Sequence, residues 1–235
     1  NSTQHTTQQA PRTQPKIPRT IWVLVGAAFI IALGYGLIAP VLPQFAGSFG
    51  VSMAAAGAVI SIFAFARLIG APGAGRLVDR LGSRPIYLTG LLIVAASTFF
   101  VAFAQAYWQI LALRFIAGFG STMFTLSAQA LIVRVTHPSI RGRANALYAS
   151  AFLVGNVVGP IIGAALSFLG FRAPFVIYGI AVAGAAVAVG ALTQPKPGSE
   201  PLPAAKPKMR VRQAWQSSTY KLSLIHISEP TRRRG

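Results

Sequence analysis

Six apolar runs constrain this chain more than any other feature. They lie at 21–43, 53–75, 85–104, 107–133, 144–169 and 173–192, and none of them contains an Asp or a Glu. Runs of about twenty apolar residues match the hydrocarbon thickness of a bilayer. In that setting each run must satisfy its own backbone N–H and C=O groups, which a helix does internally. The expected fold class is therefore all-α, a polytopic membrane bundle of six transmembrane helices.

The charge pattern agrees. Of 235 residues, 54% are hydrophobic and 10% charged, against about 25% charged in a soluble domain. Lys and Arg number 21, Asp and Glu only 3, for a formal charge of +18. Such an excess first suggests a nucleic-acid surface. Here the cations fall between the apolar runs, and six spanning runs leave no soluble domain to hold nucleic acid. The expected partners are the lipid bilayer and a small-molecule substrate. With no cysteine, and with His5, His137 and His226 scattered, there is no disulfide framework and no metal-ligand spacing. No cofactor, metal or catalytic group is implied.

Lys and Arg also orient the chain. Arg12, Lys16 and Arg19 precede the first run; Arg76, Arg80 and Arg84 follow the second; Arg134, Arg141 and Arg143 follow the fourth. The segments on the other side hold only Arg172. Cytoplasmic segments carry the excess of Lys and Arg. The expected arrangement is a multi-pass cell-membrane protein with a cytoplasmic N-terminus. Tyr107 and Trp108, in the second outer turn, have the character of interface anchors. Arg67, about two turns from the end expected for the second helix, is expected to snorkel to the surface rather than meet a substrate.

Between the second and third runs stands Gly75-Arg76-Leu77-Val78-Asp79-Arg80-Leu81-Gly82-Ser83-Arg84-Pro85, which places one acid among three arginines. The two glycines are expected to turn the chain sharply between helices. The stretch resembles the signature loop of the major facilitator superfamily of secondary transporters, G-x-L-x-D-R-x-G-R-R/K. Gly75, Leu77, Asp79, Arg80, Gly82 and Arg84 match it, and Ser83 departs from it.

Three further stretches are similar to motifs of that superfamily. Leu33-Gly34, five residues and Pro40-Val41-Leu42-Pro43 resemble L-G-x5-P-x-L-P, from the first helix of the twelve-helix drug:proton antiporter branch. Pro40 and Pro43 each remove a backbone donor and are expected to distort the helix end. Arg114, Gly118 and Gly120 resemble the fourth-helix motif linked to proton transfer, which makes Arg114 and Gly118 the proton-transfer candidates. A guanidinium within the membrane needs a partner: a carbonyl, water, the substrate, or a residue absent from this chain. Gly155, Gly159, Pro160 and Gly163, with Ala164, resemble the antiporter motif G-x-x-x-G-P-x-x-G-G. Glycines every four residues leave a groove free of side chains where a neighbouring helix can approach. Tyr35 and Asn156 are the substrate-pathway candidates. The sixth run, nearly all Ala, Val, Gly and Ile, offers no chemistry.

The resemblance implies the N-terminal six-helix half of a twelve-helix transporter. It also implies alternating-access export of a small molecule, with protons as coupling ion and a C-terminal six-helix half as partner. A metabolite or sugar exporter of the same superfamily, and a non-transporting membrane adaptor, are the alternatives. The expected divisions are a cytoplasmic tail at 1–19, the membrane domain at 20–194 and a proline-rich linker at 195–221. The last stretch, 222–235, resembles one reading frame of a sequencing adapter. The first residue is Asn rather than Met, so the start is expected to be missing.

Overall fold

The structure is a computed structural model and describes residues 16–193. The tail up to residue 15, Gln194, the linker and the adapter-like end lie outside the described residues.

Among the described residues six helices follow one another: α1 Arg19–Gly47, α2 Met53–Leu81, α3 Ser83–Val101, α4 Tyr107–Val135, α5 Arg141–Ala165 and α6 Ala173–Leu192. Single 3-10 turns, Pro138–Ile140 and Ser167–Leu169, lead into α5 and out of it. All six are long and apolar enough to cross a membrane. Among the described residues there is no strand, so the expected all-α bundle is what the chain forms.

Two of the expected helix ends are corrected. Pro40 and Pro43 do not end α1, which continues through both to Gly47. Gly75 does not break α2 either. It sits in regular helix with open space where a side chain would be. The signature stretch is thus helical apart from Gly82, which alone joins α2 to α3 with φ 89°. That left-handed φ favours glycine, because a β-carbon there would crowd the backbone.

The bundle is layered by how deeply each helix is enclosed. α1 and α4 bury more than half of their most apolar stretch, whereas α2 and α5 bury about a fifth of theirs. α1 packs chiefly on α5 and α6, α4 on α3 and α2, and α3 also on α6. The core includes Ile21, Leu24, Ile31, Leu37 and Leu42 of α1, Tyr87 and Leu91 of α3, Phe124 and Ile132 of α4, and Phe175 of α6.

Glycine sets the closest of these contacts. A β-carbon added at Gly155 would lie 2.6 Å from the Phe29 carbonyl oxygen, and one at Gly163 would lie 3.0 Å from that of Leu37. At Gly159 it would run into the Leu33 carbonyl. The three glycines of α5 therefore meet carbonyls four residues apart on α1, one turn per turn. Gly36 of α1 completes the seam against Pro160 and the Asn156 carbonyl. The motifs of the first and fifth helices are two sides of one interface. With no hydrophobic force between helices in lipid, such seams are held by van der Waals contact at short range.

The same device recurs. Gly118 faces the Phe63 carbonyl of α2, Gly90 and Gly120 bring α3 onto α4, and Gly179 brings α6 onto Phe99 of α3. α6 also carries a polar anchor that its composition hid. Tyr178 is buried, donates a hydrogen bond to the Ile31 carbonyl at 3.1 Å, and fills the space a side chain at Gly34 would need.

Candidate functional site

The site is a cleft of about 400 Å³ walled by α1, α2, α4 and α5. Tyr35 comes from α1 and Arg67 from α2. α4 supplies Ser121, Phe124, Thr125 and Gln129, and α5 supplies Tyr148, Phe152, Leu153 and Asn156. Ser121, Thr125 and Gln129 are spaced by four, as are Tyr148, Phe152 and Asn156, so each set lies along one helix face.

Hydrogen bonds fix part of this lining. The Tyr35 hydroxyl donates to Ser121 Oγ at 2.8 Å, joining α1 to α4. Thr125 Oγ1 donates to the Ser121 carbonyl at 2.8 Å, and Asn156 Nδ2 to the Phe152 carbonyl at 3.0 Å. Thr122 Oγ1 reaches the Arg67 carbonyl at 3.1 Å and ties α4 to α2 behind the cleft. Both substrate-pathway candidates, Tyr35 and Asn156, thus line the same space.

Arg67 departs from expectation. Because α2 runs to Leu81, Arg67 is its middle residue. The guanidinium lies 6.0 Å from the ring centroid of Phe63, one turn toward the N-terminus of α2, the direction helical side chains lean. It points away from the Asp79 end and into the cleft, so it does not snorkel to that surface. No hydrogen bond joins it to another described side chain or carbonyl.

Arg114 approaches the same ring, Phe63. It is 8% exposed, and its guanidinium carbon lies 4.3 Å from the Phe63 centroid. Among the described residues, the aromatic face of Phe63 is the contact it makes. A cation over a desolvated ring is stabilised by about 2 kcal/mol. Phe63 in turn meets Tyr35 edge-on, with centroids 5.7 Å apart. Arg114 Nε is buried and has no hydrogen-bond partner among the described residues. Gly118, one turn on, is a packing glycine against α2.

The remaining candidates lie elsewhere. Asp79 and Arg80 are exposed in the last turn of α2. Arg84 donates to the Gly190 carbonyl at 2.6 Å and to Thr193 Oγ1 at 3.2 Å. It thereby caps the C-terminus of α6, where free carbonyls and the helix dipole favour a cation. Gly34, Pro40 and Pro43 line no part of the cleft. Tyr107 anchors the start of α4 by donating to the Ala55 carbonyl at 2.6 Å, while Trp108 is exposed.

Sequence reasoning missed Arg67, Ser121, Thr125, Gln129 and Tyr148. A signal was present: polar residues repeating every fourth position inside an apolar run mark a face that is not meant for lipid.

Comparison with known proteins bears on this arrangement. The sequence profile of the Major Facilitator Superfamily matches residues 24–229. The chain is 34% identical over 194 residues to the multidrug resistance protein MdtG of Enterobacter lignolyticus, covering 80% of this chain and 46% of that protein. It is 34% identical over 167 residues to MdtG of Escherichia fergusonii, covering 69% and 41%. The chain thus spans about half the length of the curated relatives it matches. Among solved structures, the human organic anion transporter MFSD10 superposes with a TM-score of 0.68 at 23% identity, over 85% of this chain and 52% of that one. A peptide transporter POT superposes with a TM-score of 0.71 at 16% identity, over 89% and 45%.

Proposed function

The chain belongs to the major facilitator superfamily, and on that premise we propose that it is one six-helix half of a secondary active transporter. In this reading the complete protein exports a small molecule by alternating access, in exchange for protons. The observation that carries the reading is the cleft. It gathers polar side chains from α1, α2, α4 and α5 and leaves them open on one side. A polar face of this kind inside a membrane bundle belongs against protein or water, not lipid. A second six-helix half closing over it would place a substrate between two repeats near the bilayer midplane. Similarity to multidrug resistance proteins over 80% of the chain supports export of a small molecule.

The other candidates take roles consistent with their positions. The N-terminus and the Asp79 turn lie on the cytoplasmic side, where Asp79 and Arg80 are exposed for contact with the second half. Arg114 is a fixed charge rather than a proton carrier, since a guanidinium does not deprotonate in proteins. The seam of Gly155, Gly159 and Gly163 holds α5 to α1 as one body while the halves rock.

Inverted membrane vesicles containing the chain with its second half test this. After a proton gradient is imposed, addition of an exported substrate should release protons and accumulate substrate. Vesicles that move neither, at normal abundance of the protein, overturn the reading.

A further inference from the structure

We infer that Arg67 is the binding group for an anion, and that the cleft takes amphipathic organic anions. This rests on the cleft being a substrate site, and goes beyond that reading by naming the substrate class and the residue that selects it.

The first ground is charge. Two guanidiniums, Arg67 and Arg114, lie within 6.0 Å of the same Phe63 ring centroid. The one acidic residue among those described is Asp79, twelve positions along α2 from Arg67 and so about 18 Å away by helical rise. Among the described residues no carboxylate lines the cleft. Two cations of like sign, far from any described counter-charge, create a positive potential that a bound anion relieves.

The second ground is the state of each cation. Arg114 is buried and committed to the ring face. Arg67 is exposed and lines the cleft, with none of its N–H donors given to a described acceptor. A planar guanidinium with free donors suits a sulfonate, phosphonate or carboxylate, which it can bind through two parallel hydrogen bonds. Thr125 has spent its hydroxyl proton on Ser121, whereas Asn156 has spent only one of its two amide protons, on Phe152. Asn156 is left with a further donor for the same ligand.

The third ground is the rest of the wall. Phe124, Phe152 and Leu153 supply apolar surface beside the cation. A ligand with one anionic group and an aromatic or aliphatic body satisfies both parts. A permanent cation of the same size gains the apolar contacts and meets repulsion at Arg67.

The test uses the 235-residue chain in lipid nanodiscs and three ligands of one shape: 1-naphthalenesulfonate, methyl 1-naphthyl sulfone and trimethyl-1-naphthylammonium. Binding is measured by titration calorimetry against empty nanodiscs. The sulfonate is expected to bind at least tenfold tighter than the neutral sulfone or the ammonium ion. Arg67→Gln should weaken the sulfonate about tenfold and leave the sulfone unchanged, and Arg67→Lys, which keeps the charge but not the two-donor fork, should restore only part of the loss. Equal affinity for all three ligands in the wild-type chain overturns the inference, whether or not any variant folds. So does an Arg67→Gln variant of native helical content that binds the sulfonate normally. The vesicle assay on the complete protein is read separately. Transport without anion selectivity would remove this inference alone. Selective binding without transport would overturn the transporter reading and leave the anion site standing.

Discussion

Along the α1–α5 seam, Gly155 and Gly159 leave no room for a single added carbon and Gly163 leaves only a tight 3.0 Å, while the neighbouring cleft holds Tyr35, Arg67 and Asn156 around open space. α1 and α5 take part in both regions, and the cleft adds α2 and α4. The seam fixes the distance between α1 and α5 by backbone contact, and that distance decides how far apart Tyr35 and Asn156 stand. The cleft is under no such steric limit; what matters there is which polar groups are present and what they bond. The difference teaches that volume and polarity are selected in separate places. A substitution that adds bulk should be severe in the seam and mild in the cleft. One that changes charge without adding bulk should move binding in the cleft with little effect on assembly.

The largest effect expected is at Gly159. Leucine there meets the Leu33 carbonyl and the Gly36 backbone, neither of which is a flexible side chain that can swing away. Gly159→Leu should lower stability by about 3 kcal/mol or more, as overpacking against backbone does. Gly163→Ala, whose closest contact would be 3.0 Å, should cost under about 1 kcal/mol. Unfolding in mixed micelles, followed by circular dichroism, measures both. If the two variants are equally stable, the seam is not the rigid element described.

A middle effect is expected from contrasting the two arginines. Arg114→Ala removes a buried guanidinium from the face of Phe63 and leaves a void, at a cost of about 2 kcal/mol. Arg67→Gln changes an exposed side chain and should stay within about 0.5 kcal/mol of wild type. The same unfolding assay compares them. A reversed order would mean that Arg67, not Arg114, is the structural cation.

The smallest effect is at Tyr35. Tyr35→Phe deletes one hydrogen bond, to Ser121 Oγ at 2.8 Å, and keeps the ring contacts with Phe63, Phe152 and Tyr178. The loss should be about 1 kcal/mol, the usual net value of such a bond. Ser121→Ala should cost about the same, and the double variant no more than either single one, because they share one interaction. Full additivity would break the link drawn here between α1 and α4.

How much of this was legible beforehand follows from what periodicity encodes. Six helices could be read because long apolar runs without acids have one outcome in a bilayer. The seam could be read in part, since glycines four apart lie on one helix face, but the identity of the neighbour could not. That Gly155, Gly159 and Gly163 meet Phe29, Leu33 and Leu37 is a fact of tertiary assembly. Gly75 misled because glycine is tolerated within a helix, at a modest cost that neighbouring residues offset. The error carried over to Arg67: a helix taken to end at Gly75 made the arginine look close to the surface. Tyr178 escaped notice because one polar atom in a run of Ala, Val and Gly says nothing until the carbonyl it bonds, that of Ile31, is in place.

The single residue joining α2 to α3 has a mechanical consequence. Gly82 closes α2 and opens α3 with no slack chain on either side. Neither helix can slide along its axis past the other, because a one-turn displacement would need about 5 Å of additional chain. Pivoting about Gly82 is the motion left to the pair. Arg84, two residues beyond the pivot, is fastened to the end of α6 by its bonds to Gly190 and Thr193. A tilt of α2 is therefore geared to α6 through a lever arm of two residues, and Asp79, on the other side of the pivot, rides on the input arm.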